Sequence, residues 1–222
     1  TRQLWWRYKR QRILCTLLET GILMSRLHAF GDSFTYGYEL SDCDADGLPN
    51  HSNLTYSALS AKHLNLDYVC HAIGYSANNG ILKQIKLADI RKQDTCLIMW
   101  SYSIRFAFMF AGEKGYRTIE KDEDRWWWEN VDHEPEQCLD RTMDSILAAQ
   151  TIFKSIGCNY TFLCNNIELQ DEIQYNSKWL DKSKWLFLPR NHEMINSKGH
   201  PLDDVHRDVF NILKERLNGT NG

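Results

Sequence analysis

No stretch of the 222 residues is long and apolar enough to read as a membrane span. The best candidate, Ile13-Leu14-Cys15-Thr16-Leu17-Leu18, is cut off by Glu19 and falls far short of the roughly 20 residues a bilayer requires. Charge of one sign is also missing. Twenty-six Lys and Arg face 29 Asp and Glu, for a net charge of −3 and a pI near 6.2. That balance leaves no electrostatic footprint for nucleic acid. Nor is there a disulfide framework or a zinc pattern. The seven cysteines (Cys15, Cys43, Cys70, Cys96, Cys138, Cys158, Cys164) are odd in number, scattered and without a C-x-x-C pair. They read as free or buried thiols in a reducing compartment. Four of them (Cys70, Cys96, Cys158, Cys164) lie in apolar runs, where cysteine behaves as a small hydrophobe. Internal repeats and low-complexity segments are absent too.

What is present describes a folded globular chain. With 43% hydrophobic and 25% charged residues it is long enough for one α/β domain with a real core, and short for two. Eight tryptophans are many for this size. Two clusters, Trp5-Trp6 and Trp126-Trp127-Trp128, suit a core, an interface or a sugar-stacking surface. The first residues carry Arg2, Arg7, Lys9, Arg10 and Arg12 ahead of the short apolar run. This has the outline of a signal peptide but no small-residue cleavage site follows. Residues 1–23 are expected to be an extension outside the core, a membrane-surface helix being the other reading. Residues 24–222 are expected to form the single domain. Without a convincing targeting signal the expected location is the cytoplasm, of a bacterium or a virus-infected cell.

Short apolar runs alternate with amphipathic segments, the pattern of βαβ units around a parallel sheet. Strands are expected at 27–30, 68–73, 95–100 and 158–164, with 185–188 a short strand or turn. The run Thr95-Cys96-Leu97-Ile98-Met99-Trp100 has no polar alternation, as a central strand buried on both faces requires. Helical spacing marks 53–64, 80–90, 136–156 and 203–217, the third ended by Gly157. Residues 112–135 show no periodicity and read as an irregular excursion, a candidate lid or substrate-contacting loop.

One string stands out for its chemistry. Gly31-Asp32-Ser33-Phe34-Thr35-Tyr36-Gly37 follows the first strand directly, so Ser33 sits at a strand's carboxyl end, where open α/β sheets bind ligands. A serine there becomes a nucleophile if a base reaches it. The string resembles the first block of the GDSL/SGNH hydrolase family. That resemblance implies a flavodoxin-like three-layer α/β/α sandwich with a central parallel sheet, no cofactor, and an ester-cleaving serine whose own N–H joins the oxyanion hole. Ala72-Ile73-Gly74-Tyr75 is similar to the second block, which makes Gly74, or Tyr75 in a shifted register, the second oxyanion amide. The third block normally supplies an asparagine after the central strand. Here Trp100-Ser101-Tyr102-Ser103 stands in its place, with Arg105 close behind. A hydroxyl of Ser101, Tyr102 or Ser103 is the candidate substitute, and Arg105 a candidate holder of an anionic group. The variant is similar to hydrolase-like proteins of tailed bacteriophages.

Two registers compete for the base. In the first, Gly199-His200-Pro201 matches the family's His-Pro, His200 is the base, and the usual aspartate position falls on Ser197. The base then acts in a Ser–His dyad or with a backbone carbonyl on Nδ1. In the second, Asp203-Asp204-Val205-His206 fits Asp-x-x-His literally, with Asp203 and His206 as the pair, although Asp203 also suits a helix N-terminus. His192, Glu193, His200 and His206 fit no common metal-ligand spacing, so no metal is expected. His28, His51, His63, His71 and His133 read as structural or surface residues. The resemblance implies a small-molecule or glycan ester as substrate, with acetyl esters of sugars suited to the tryptophan cluster. The competing expectation is a catalytically impaired SGNH-like binding or structural module, favoured by the missing asparagine and aspartate.

Overall fold

A computed structural model describes residues 24–43, 50–109, 116–119, 135–189 and 202–219. Along the chain come β1 (Arg26–Phe30), α1 (Ser33–Tyr36), α2 (Tyr56–Leu64), β2 (Asp67–Cys70), α3 (Asn78–Leu87) and β3 (Thr95–Trp100). They are followed by β4 (Phe106–Met109), β5 (Tyr116–Ile119), α4 (Pro135–Ile156), β6 (Asn159–Cys164), α5 (Ile167–Asp171), β7 (Trp185–Phe187) and α6 (Asp203–Gly219).

Five strands form one parallel sheet in the order β2-β1-β3-β6-β7. The chain leaves β1 for the sheet edge at β2, then crosses back over β1 to β3. Counting only the sheet strands, this is the doubly wound order 2-1-3-4-5, whose switch point lies between β1 and β3. Loops diverge there at the carboxyl ends of the strands and leave a crevice.

Alternation along β3 explains the layers. Cys96, Ile98 and Trp100 join Phe30, Ile81, Ile85, Ile146 and Phe153 in a core beneath α3 and α4. Leu97 and Met99 join Leu27, Ala29, Tyr56, Val209 and Leu213 in a second core beneath α2 and α6. The expected three-layer α/β/α sandwich is the observed fold. Gly157 ends α4 with φ +75° and returns its N–H to the Phe153 carbonyl at 2.9 Å, as its place in the sequence suggested.

Three segments differ from expectation. Within the stretch expected to be irregular, Tyr116–Ile119 pairs antiparallel with Phe106–Met109 as a two-stranded ribbon. Four residues are too few for a periodicity to show in sequence. The strand expected over 68–73 ends at Cys70, although His71 and Ile73 still donate N–H groups to the Ala29 and Gly31 carbonyls. Residues 167–176 form α5 and a π-helical turn where no element was expected. Trp5-Trp6, Trp126-Trp127-Trp128 and residues 1–23 lie outside the described residues. No described helix is long and apolar enough to cross a membrane.

Candidate active site

β1 delivers the chain to the switch point, and Gly31 begins the turn. Its N–H donates to Gln84 Oε1 at 3.1 Å and its carbonyl accepts from Gln84 Nε2 at 3.0 Å, so one buried amide satisfies both backbone groups. A Cβ at position 31 would lie 2.1 Å from Thr35 Oγ1, so only glycine fits beneath α1. Asp32 caps that helix, its Oδ1 accepting the Phe34 N–H at 3.1 Å. Ser33 is the first helical residue and is 7% exposed.

The other Asp32 oxygen meets the loop after β3. Oδ2 accepts the Ser101 hydroxyl at 2.8 Å and Arg105 Nη1 at 2.9 Å, and Nη1 also lies 3.0 Å from Ser101 Oγ. The Ser101 proton and one Arg105 nitrogen are thus committed to Asp32 rather than aimed outward as an oxyanion donor or anion site. The Arg105 guanidinium also lies 5.3 Å from the Tyr102 ring centroid. Asn78 fixes the backbone of this loop. Its Oδ1 accepts the Ser101 N–H at 2.8 Å, while Nδ2 donates to the Ser101 carbonyl and to Thr142 Oγ1 on α4.

The loop after β2 carries Gly74. The Tyr38 side chain lies against its backbone, so a Cβ there would lie 2.5 Å from the Tyr38 ring and 2.6 Å from its hydroxyl oxygen. Tyr75 follows in the left-handed region at φ +59°, rare for a residue with a side chain. Ile73 and Tyr75 on this loop, and Tyr102 and Ile104 on the loop after β3, expose apolar surface at the same end of the sheet.

His206 and Asp203 sit at the start of α6 and do not bond to each other. Asp203 accepts the Ser41 N–H at 3.1 Å and the Ser41 hydroxyl at 2.6 Å. His206 packs between Phe34 and Tyr56, and its Nδ1 accepts the Tyr56 N–H at 3.3 Å. An accepting Nδ1 leaves the proton of the neutral ring on Nε2. That nitrogen is buried and has no hydrogen-bond partner among the described residues, and burial lowers the ring's pKa to about 4. His200, its neighbour Pro201, Ser197, His192 and Glu193 lie outside the described residues.

One cluster was not legible in the sequence. His28, on β1, places Nδ1 2.8 Å from His71 Nε2 and Nε2 3.1 Å from Asp94 Oδ2. Asp94 also takes Arg26 Nη2 at 2.9 Å and the Arg91 N–H. Burial lowers the pKa of both histidines, His71 to about 4. Burial also pushes the Asp94 carboxyl up, but hydrogen bonds from Arg26, Arg91 and His28 outweigh it and hold the group below its ordinary value. The three chemistry-bearing residues are 43 and 66 positions apart, and no local spacing joins them.

No family model matches the sequence, and no curated protein matches it. The likeness is structural. An acetyl xylan esterase from the rumen bacterium Butyrivibrio proteoclasticus has a TM-score of 0.60 at 15% identity, over 90% of this chain and 65% of that one. A carbohydrate esterase described as having divergent catalytic and non-catalytic binding functions gives 0.56 at 16% identity, over 88% and 65%. A protein assigned to the G-D-S-L lipolytic family of Desulfitobacterium hafniense DCB-2 gives 0.51 at 11% identity, over 86% and 98%. The chain spans just under two thirds of the two carbohydrate esterases. The protein has the α/β fold of these G-D-S-L and carbohydrate esterases, the SGNH-hydrolase fold.

Proposed function

We propose that the protein is a serine ester hydrolase acting on small or carbohydrate O-acyl esters, acetyl esters foremost. The observation that carries this is the placement of Ser33, on a capped turn at the carboxyl end of β1 beside the sheet's switch point. Ser33 Oγ attacks the acyl carbon while His200 takes its proton. The Ser33 and Gly74 amides stabilise the oxyanion. As the carbon–oxygen bond of the ester breaks, the alcohol leaves with the proton from His200. Water then attacks the acyl-enzyme, giving its proton to His200, and the carboxylic acid departs from a regenerated Ser33.

The bonding of His206 supports His200 as the base. With Nδ1 occupied by Tyr56 and the proton on Nε2, His206 has no lone pair left for the serine proton. The exposed Ile73, Tyr75, Tyr102 and Ile104 suit an acyl group or a sugar ring at the mouth. The six described cysteines are free thiols, which supports a reducing compartment, the cytoplasm.

A second reading, a binding module of this fold, draws on the Tyr38 side chain packed against the Gly74 backbone and on Ser101 turned toward Asp32. Hydrolysis of p-nitrophenyl acetate and acetylated sugars by wild type and Ser33→Ala separates the two. Loss of turnover in Ser33→Ala supports the hydrolase, and equal rates refute it.

A further inference from the structure

We propose that Arg105 and Ser101 are positioning residues for the nucleophile's turn, replacing the absent asparagine by clamping Asp32 instead of pointing at the oxyanion. The catalytic half of this inference rests on the hydrolase reading above; the structural half does not.

Asp32 is 6% exposed, and burying a carboxylate is costly unless a cation and hydrogen-bond donors pair with it. Arg105 is its only ion-pair partner among the described residues. The two oxygens divide the work. Oδ2 takes Arg105 and Ser101, while Oδ1 takes the Phe34 N–H one residue beyond Ser33. The turn needs that cap. α1 has only four residues, too few to hold a helical geometry by its own backbone bonds.

The clamp is itself anchored. Asn78 holds both backbone groups of Ser101, and the Tyr102 ring lies beneath the guanidinium. A fixed framework thus runs from α3 and β3 through Arg105 and Asp32 to the Ser33 turn. An asparagine in the loop after β3 would supply a neutral donor and leave Asp32 without a countercharge. The arginine supplies the charge and orients the turn instead.

The test compares wild type, Arg105→Met, Arg105→Lys and Ser101→Ala, with p-nitrophenyl acetate as the probe and amide hydrogen exchange read at Phe34. A displaced nucleophile costs up to about 100-fold in rate. Arg105→Met is therefore expected to lower kcat roughly 10- to 100-fold with KM little changed, and to speed Phe34 exchange at least roughly tenfold. Arg105→Lys, which keeps the charge, is expected to recover part of both losses. Ser101→Ala keeps the ion pair and gives a smaller loss; it carries the test if Arg105→Met does not fold. Wild-type kcat and wild-type Phe34 protection in Arg105→Met overturn the inference while leaving the hydrolase reading intact. A fall in kcat with unchanged exchange also overturns it, since Arg105 would then act on the substrate directly. A wild type inert toward every ester overturns the hydrolase reading and the catalytic half together, while the exchange at Phe34 still decides the clamp.

Discussion

Acidification from pH 7.5 to 4 should weaken the protein chiefly through His206, at the start of α6 behind the Ser33 turn. The ring is 1% exposed, lies between Phe34 and Tyr56, and uses Nδ1 to accept the Tyr56 N–H. Adding a proton would set a cation in an apolar slot and place two donors, Nδ1–H and the Tyr56 N–H, face to face. Asp203 provides some attraction, but its carboxylate is engaged by Ser41. Burial therefore lowers the folded-state pKa from 6.5 to about 4. In the unfolded chain the ring takes its proton near 6.5. Protons thus favour the unfolded state between those two values. Stability is unaffected by this group above pH 6.5, falls as pH drops from 6.5 to 4, and levels off below. At about 1.4 kcal/mol per pH unit the loss is about 3 kcal/mol, a large share of a typical folding free energy of roughly 5–15 kcal/mol. His71 adds to it in the same direction, by less because the ring is only partly buried. Urea unfolding at pH 7.5, 6.5, 5.5 and 4.5 measures this for wild type and His206→Phe. The variant keeps a ring against Phe34 but carries no proton, so its stability should fall less steeply below pH 6.5; carboxylates titrate in both proteins and cancel in the comparison. Identical slopes, or an NMR titration of His206 near its ordinary value, would show that burial does not hold the ring neutral.

Two further substitutions probe the site. Tyr38→Phe removes the hydroxyl that lies against the Gly74 backbone and should raise kcat/KM for p-nitrophenyl acetate if that amide serves the oxyanion. A slower enzyme would show instead that the Tyr38 hydroxyl assists the reaction. Gln84→Met strips the partner from the buried Gly31 N–H and one of two donors from its carbonyl, which keeps the Ile73 N–H. Urea denaturation should show a loss of about 1–3 kcal/mol, and unchanged stability would contradict the role given to that amide.

Where the sequence spoke plainly, the cause was local. Thr95–Trp100 lacks polar alternation because both faces of β3 are covered, and α4 repeats its apolar residues because one stripe meets the sheet. Gly157 ends α4 because the chain turns through φ +75°, and Gly31-Asp32-Ser33 was legible because glycine, cap and serine are adjacent. The β4–β5 ribbon, α5 and the π-helical turn left no such trace, being shorter than the period that would announce them.

The class of fold and the position of Ser33 are readable along the chain, since both rest on hydrophobic period and contiguous turn chemistry. What each neighbouring side chain does depends on partners brought in from afar. Asp32 and Arg105 are 73 residues apart, His206 and Tyr56 150, and Ser41 and Asp203 162. Those partners meet because the chain returns across β1 at the switch point and lays α6 against α2. A hydrogen bond depends on separations of about 3 Å in space, and sequence spacing carries no record of that once the chain has crossed a sheet.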